Sequence, residues 1–299
     1  MKLDVTVGTP ITQGVMSLFP LFSTGPAAGG YLAGPHAAAV GVMEVTELED
    51  GAEVSELQLR NIGELPVLLV EGEMLLGGKQ NRTLNLSVLC APGVVTNLPV
   101  SCVEAGRWGR PQAGTRSAHH ANLELRRAKT VSAIRHERLG AGKVSDQGAV
   151  WDEVDLQLSR ASIASPTAAL EDAYTATDER VSPQLEAVRP AFGQVGVVAV
   201  IGGEPVAVDL FDKPETLDAY WEAIISGYAL NGLDAADTPG ELAAVTAFIE
   251  ELNQAKDEPV RAAGLGEEVH FETRRVAGAA LLWEDVLVHL SGYSLADMS

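Results

Sequence analysis

The sequence predicts an α+β fold: a β-rich N-terminal half built as a sandwich or half-barrel, central helices, and an α+β C-terminal part. Three observations carry this. Short alternating apolar stretches separated by turn residues fill residues 1–115. A helical apolar spacing takes over across 116–190, and 191–299 returns to strands mixed with helices. No linker of biased composition separates these regions, so 1–299 is expected to form a single integrated domain.

The elements follow in order. Leu3, Val5 and Val7 alternate, as do Val54, Leu57 and Leu59 more loosely. Leu65–Val70 is a continuous apolar run, the signature of a buried strand. Leu84, Leu86 and Val88 alternate again, and a further strand is expected to begin at Pro99 and reach Val103. Turns are expected at Gly25–Gly34, Asp50-Gly51 and Pro92-Gly93. From Ser117, the spacing of Ala118, Ala121, Leu125, Ala128 and Val131 predicts a helix that Gly140-Ala141-Gly142 ends. A second helix is expected over Gln147–Leu158. A third should open at Ser165-Pro166, with Ser as N-cap and Pro in the first turn. The Ala/Glu-rich piece from Asp152 to Pro190 reads as an exposed helical insertion. Further on, Val195–Ile201, Gly202-Gly203 and Val206–Leu210 predict a β-hairpin. Pro214 opens a helix expected to bury Leu217, Trp221, Ile224 or Ile225, and Tyr228. Thr238-Pro239-Gly240-Glu241 reads as a capping box before Leu242, Val245, Phe248, Ile249 and Leu252. Val269–Phe271, Ala279–Trp283 and Val286–Leu290 read as closing strands.

The 299 residues carry 41 acidic and 21 basic side chains, a net charge of −20. The two cysteines, Cys90 and Cys102, cannot form a disulfide framework and are expected as free thiols. The opening MKLDVTVGTP lacks an apolar segment, and no run approaches the ~20 apolar residues a spanning helix needs. The expectation is a cytoplasmic protein without a membrane partner. Charge is unevenly spread. Arg107 to Lys143 holds nine Lys and Arg against Glu124 and Glu137, a local +7, leaving −27 for the remainder. Such a body repels nucleic acid, and Trp108 is the only aromatic in the basic window, so a stacking platform is not expected. Either the basic window pairs with the acidic excess, or it receives a small anionic ligand.

The densest polar cluster runs from Glu71 to Arg82, directly after the buried strand. It is not a phosphate-binding P-loop: Gly72 to Lys79 is one residue too long, and Gln80 stands where the metal-binding hydroxyl belongs. Strand alternation would place Glu71 and Glu73 on one face, and Gly77-Gly78 would present backbone N–H groups to an anion. Lys79 and Arg82 would supply charge, and Gln80, Asn81 and Asn85 hydrogen bonds, which suits a nucleotide or phosphosugar. The competing reading is a tight hairpin in which Lys79 and Arg82 pair with Glu71 and Glu73. A second cluster spans Pro99 to Trp108. There Cys102 and Glu104 would share a strand face, Arg107 would assist with phosphate, and Trp108 would stack on a base or anchor the core. Cys102 is a candidate nucleophile with no assigned base; a buried structural thiol is the commoner case. Glu71, Glu73 and Glu104 are the candidate acid/base groups. No metal-ligand motif is present. The cofactor stays open, with Mg²⁺ the cation that Glu71 and Glu73 would suit.

VEGEMLLGGKQNRTLN followed by LPVSCVEAGRW resembles an uncharacterised bacterial family. It is named for its association with ADP-ribosylglycohydrolases and the rhodanese/phosphatase superfamily (the ARPP family). VGVVAVIGGEPVAVDLFDKPETLDAYW, the Gln147 to Trp151 stretch and VLVHLSGYS are similar to its pattern more loosely. The resemblance implies a context of ADP-ribose or NAD-derived nucleotides, supplies no settled catalytic residues, and matches at Glu71, Glu73, Lys79, Gln80, Arg82, Cys102, Glu104 and Trp108. Two functions follow as expectations: binding or processing of a nucleotide-like anion, or a structural or interaction domain that docks a protein partner or a second copy of itself.

Overall fold

The computed structural model describes residues 2–48, 55–107 and 112–296, and of 112–118 the backbone strand alone. Asp50-Gly51, Val54, Trp108 and Arg110 lie outside the described residues. In chain order the elements are β1 (Thr6–Val7), β2 (Ile11–Gln13), β3 (Met16–Phe22), β4 (Leu32–Ala33), α1 (Gly34–Ala39), β5 (Met43–Thr46), β6 (Glu56–Asn61), β7 (Val67–Leu69), β8 (Glu73–Gly78), β9 (Arg82–Leu84), β10 (Val88–Cys90), β11 (Val95–Cys102), β12 (Gln112–His120), α2 (Leu123–Arg138), α3 (Gln147–Arg160), α4 (Leu170–Glu186), β13 (Gly196–Ile201), β14 (Glu204–Phe211), α5 (Pro214–Gly232), α6 (Leu242–Gln254), β15 (Glu258–Arg261), β16 (Glu267–Glu272), β17 (Val276–Trp283) and β18 (Val286–Ser294). The architecture is α+β, as the sequence predicts, with a half-barrel in the N-terminal half. Contacts group the chain into two compact units, one of residues 1–29, 180–261 and 266–299, the other of 30–179 and 262–265.

The first unit is built on an antiparallel sheet ordered β1-β3-β13-β14-β18-β17-β16-β15, with β2 also on β3. One face is apolar. Leu210 pairs with Leu290, Leu290 with Ala280 and Ala280 with Val269, and this face packs in one core with Val245, Phe248, Ile249 and Leu252 of α6. Pleating sends the intervening residues the other way. There Asp209 pairs with Ser291, Ser291 with Ala279 and Ala279 with His270. The buried Asp209 accepts a hydrogen bond from Tyr228 of α5 and lies 3.4 Å from Nε2 of His289. The β13–β14 hairpin turns at Gly202-Gly203 as expected, both with positive φ. Helix α5 opens at Pro214 and buries Leu217, Trp221, Ile224, Ile225 and Tyr228. The expected capping box does not form. The N-cap is Glu241, no side chain caps α6, and Leu242 is exposed. Gly240 is held by its N–H to the Ser17 hydroxyl at 3.1 Å. It sits so tightly that a Cβ there would lie 2.8 Å from Val200, which keeps the chain extended up to Glu241. Strand β3 has no counterpart among the sequence expectations, because Pro20 interrupts its pattern; in the sheet Pro20 pairs with Val197 and its carbonyl accepts the Gly8 N–H.

The second unit holds the half-barrel, ordered β12-β8-β9-β11-β6-β5, and a smaller sheet β10-β7-β4. Leu57, Leu59, Val67, Leu69, Leu84, Val88, Leu98 and Val100 form its core. Three boundaries differ from expectation. Helix α2 begins at Leu123, not Ser117, because residues up to His120 pair with β8, and the ladder overrides the helical spacing of the alanines. Pro99 lies inside β11, not at its start. It is tolerated because β11 changes partner there, from Glu56 of β6 opposite Pro99 to Leu84 of β9 opposite Val100. Helix α4 begins at Leu170, since the Ser165 hydroxyl accepts the Ala169 N–H at 3.0 Å and Ala168 takes a φ of +49°. The 152–190 stretch is not a purely exposed insertion: Val154, Leu158, Leu170 and Tyr174 are all buried.

Candidate functional site

Glu71 closes the buried strand run and sits in the turn before β8, so it does not share a strand face with Glu73 as expected. The chain reverses at Gly72, with φ +87°. A side chain there would be strained, and its Cβ would lie 2.6 Å from Nε of Arg126, so glycine is required for Arg126 to reach Glu71. Arg126 donates to Oε2 of Glu71 from Nε at 3.0 Å and from Nη2 at 2.9 Å, and Lys129 bonds Oε1. The two cations stand three apart on α2 and so share a face. All three side chains are at most 1% exposed. Both Glu71 oxygens are therefore held by cations and offer no ordinary site for Mg²⁺. Glu73 turns its Oε2 back to the Val70 N–H at 3.2 Å. Asn85 is likewise engaged: its Oδ1 accepts from Ser101 at 2.6 Å, and its amide donates to the Lys143 carbonyl at 3.1 Å.

A second cluster gathers at the β8–β9 turn and the end of β11. Arg107 grips Glu104 through Nε at 2.8 Å and Nη2 at 2.7 Å, and also donates to the carbonyls of Gly78 at 2.8 Å and Gly77 at 3.2 Å. The Gly77 N–H goes to Oδ1 of Asn81 at 2.9 Å, so this turn does not aim that N–H at an anion as expected. Burial works to raise the Glu104 carboxyl. Hydrogen bonds from Arg107, the Asn81 N–H and Thr167, with the Arg107 charge, outweigh it and hold the group below its ordinary range. Arg107 is thus a clamp on the hairpin, with each of its three nitrogens engaged inside the protein.

Gln80 links this clamp to Arg82 and Cys102. Its amide donates to the Glu104 carbonyl at 2.8 Å. Its Oε1 accepts from the Cys102 thiol at 3.0 Å and from Nη1 of Arg82 at 3.3 Å. Burial pushes the Cys102 thiol up to about 11, with Arg82 pulling it down and Glu47 and Glu104 pushing it up. At neutral pH it is a protonated donor. The Cys102 backbone is fixed by the Gln147 side chain, which donates to its carbonyl at 2.9 Å and accepts its N–H at 2.8 Å. Gln147 opens α3, whose N-cap Asp146 accepts the N–H groups of Gly148 and Ala149.

Arg82 stands apart from the other buried cations. It is fully buried, yet its Nε and Nη2 have no hydrogen-bond partner among the described residues. Gln80, Arg82, Cys102, Glu104 and Arg107 come together, drawn from two segments that the sequence presents as separate clusters. Glu71 joins a separate ion cluster with Arg126 and Lys129. Lys79 sends its backbone N–H to Glu47 at 2.8 Å. Trp108 lies outside the described residues. Sequence reasoning missed Glu47, Arg126, Lys129 and Gln147 as site residues. The three-residue spacing of Arg126 and Lys129 was a readable signal; Glu47 and Gln147 are brought in only by tertiary contact. Among the described residues, no three His, Cys, Asp or Glu side chains gather as metal ligands.

Fold and site together define an α+β protein whose half-barrel buries a network of charged groups. The chain belongs to the ARG and Rhodanese-Phosphatase-superfamily-associated Protein domain family, whose model matches residues 4–293. The family name records an association with ADP-ribosylglycohydrolase and with rhodanese/phosphatase-superfamily proteins. No curated protein and no solved structure matches the chain.

Proposed function

We propose that this protein binds a nucleotide-like anion, ADP-ribose or an NAD-derived phosphate ester, with Arg82 as the phosphate-holding group. The observation that carries the reading is the buried Arg82 guanidinium, two of whose nitrogens have no hydrogen-bond partner among the described residues. An unpaired charge away from water costs several kcal/mol or more, and a guanidinium does not deprotonate to escape that cost. The Nε and Nη2 edge is the fork that takes a phosphate or carboxylate with two parallel hydrogen bonds. The family's association with ADP-ribosylglycohydrolase favours phosphate esters over other anions. The free thiols Cys90 and Cys102 fit a reducing, cytoplasmic setting. Since the guanidinium is sealed from solvent, an incoming anion displaces the groups that cover it, and association is expected to be slow.

A second reading has its own support. Glu71 and Glu104 are saturated by Arg126, Lys129 and Arg107, as in a hairpin locked for structural or docking purposes. Thermal shift separates the two readings. The panel holds ADP-ribose, NAD, AMP, ADP, ribose 5-phosphate and inorganic phosphate, each with and without Mg²⁺. A ligand at about 100-fold over its Kd stabilises the folded state by roughly 2.7 kcal/mol. At least one phosphate ester is expected to shift wild type and to lose its effect in Arg82→Met. A flat panel, or equal shifts in folded Arg82→Met, overturns the anion reading.

A further inference from the structure

The Arg82 guanidinium has one edge engaged and the other open, and Gln80 decides which is which. Gln80 stands just before β9 and is buried. Its amide is held at both ends. Oε1 accepts from Nη1 of Arg82 at 3.3 Å and from the Cys102 thiol at 3.0 Å, while Nε2 donates to the carbonyls of Glu104 at 2.8 Å and Ala105 at 3.3 Å. These partners fix the orientation of the amide. Turned end for end, it would bring its NH2 against two donors and its oxygen against two carbonyls. Arg82 and Cys102 are also paired across the β9–β11 ladder, so the sheet itself brings both donors to the Gln80 oxygen. With Nη1 taken, Nε and Nη2 are the nitrogens that have no partner among the described residues.

The group that holds Nη1 is also neutral. Gln80 is an amide, and the Cys102 thiol that shares its oxygen is protonated at neutral pH. The Glu104 carboxylate, whose backbone carbonyl Gln80 holds, is committed to Arg107 and to the Asn81 N–H. We infer that Gln80 is the positioning residue of the Arg82 site: it fixes one side of the guanidinium without discharging it, so that the Nε–Nη2 fork takes an oxyanion side-on through two of its oxygens. This rests on the proposed role of Arg82. A carboxylate at position 80 would be nearly the same size and would accept the same hydrogen bonds from Arg82 and Cys102. It would also neutralise the guanidinium from within the chain. In a site away from water, where charges interact more strongly than in solution, a second anion on the same guanidinium would meet the repulsion of that carboxylate. An amide at position 80 keeps the Arg82 charge for a ligand. Cys102, a candidate nucleophile by sequence, here helps to hold the Gln80 oxygen in place.

The test titrates ribose 5-phosphate and inorganic phosphate calorimetrically into the full chain at pH 8. It uses wild type, Gln80→Glu, Gln80→Met and Arg82→Met, and circular dichroism checks that each variant is folded. A carboxyl placed against a guanidinium is ionised at that pH. Both probes are expected to bind wild type and to be lost in Arg82→Met. Gln80→Glu should weaken both by about tenfold or more, and Gln80→Met, which leaves the Arg82 charge but frees Nη1, by about threefold. The order is the telling readout. A merely structural role predicts the reverse, because Met forfeits every hydrogen bond of the amide while Glu keeps those from Arg82 and Cys102. Binding to Gln80→Glu within threefold of wild type overturns the role of Gln80 and leaves Arg82 standing. So does a loss in Gln80→Met as large as that in Gln80→Glu. If Gln80→Glu does not fold, Gln80→Met decides alone, and unchanged binding there overturns the role. If wild type binds neither probe, or Arg82→Met binds as wild type does, the Arg82 reading falls and this inference falls with it.

Discussion

Two buried cationic centres of the half-barrel unit invite comparison. Around Glu71, the carboxylate is answered on both oxygens: Arg126 and Lys129 close on them, and Gly72 leaves the room Arg126 needs. Around Arg82 the engagement is partial: one nitrogen reaches the neutral Gln80, and two reach no partner among the described residues. Both centres bear the cost of desolvation, but among the described residues only the first offsets it with ion pairs. The first cluster ties α2 to the turn before β8; the second carries the ligand reading proposed above.

The comparison can be broken most forcefully at Glu71. Glu71→Gln removes the carboxylate charge that both buried cations hold, and the loss should be about 3–5 kcal/mol in denaturant unfolding. A loss below 1 kcal/mol would mean that the Glu71 cluster is no better matched than Arg82. The opposite sign is expected at Arg82. In the absence of ligand, Arg82→Met removes an uncompensated charge while keeping most of the volume. It should raise stability by about 1 kcal/mol, in line with the stabilisation often seen when buried charges give way to apolar groups. A loss there as large as at Glu71 would show that Arg82 is satisfied internally.

The smallest effect concerns the Glu104–Arg107 clamp. Because the folded state holds Glu104 below its ordinary value of 4.5, the unfolded chain takes up the proton first as pH falls. The stability this pair contributes is therefore complete above that value and lost as pH drops through the lower folded one. Unfolding followed from pH 6 to pH 3 should show this loss in wild type and a shallower one in Glu104→Gln; identical slopes would remove the clamp from the account.

The α+β class, the buried strand before Glu71, the β13–β14 hairpin and the Pro214 helix were legible in the sequence. Each rests on local spacing or on residues with one conformational habit, such as Gly202-Gly203 and Pro214. The two polar segments that hold Gln80, Arg82, Cys102, Glu104 and Arg107 were legible as clusters, but not which of their residues meet. The start of α2 was not legible: Ala118 and Ala121 fit a helix by spacing, but pairing with β8 lies some forty residues back in the chain. Nor was the capping of α6, which close packing on Val200 and Phe19 decides. The partners of the charges were hidden for the same reason. The sequence by itself determined that carboxylates and guanidinium groups crowd these strands. Only the tertiary structure decided that Glu71 is answered by α2 and that two Arg82 nitrogens meet no partner among the described residues, because ion pairing depends on distance in space, which residue spacing does not encode beyond a helical turn or a strand pleat.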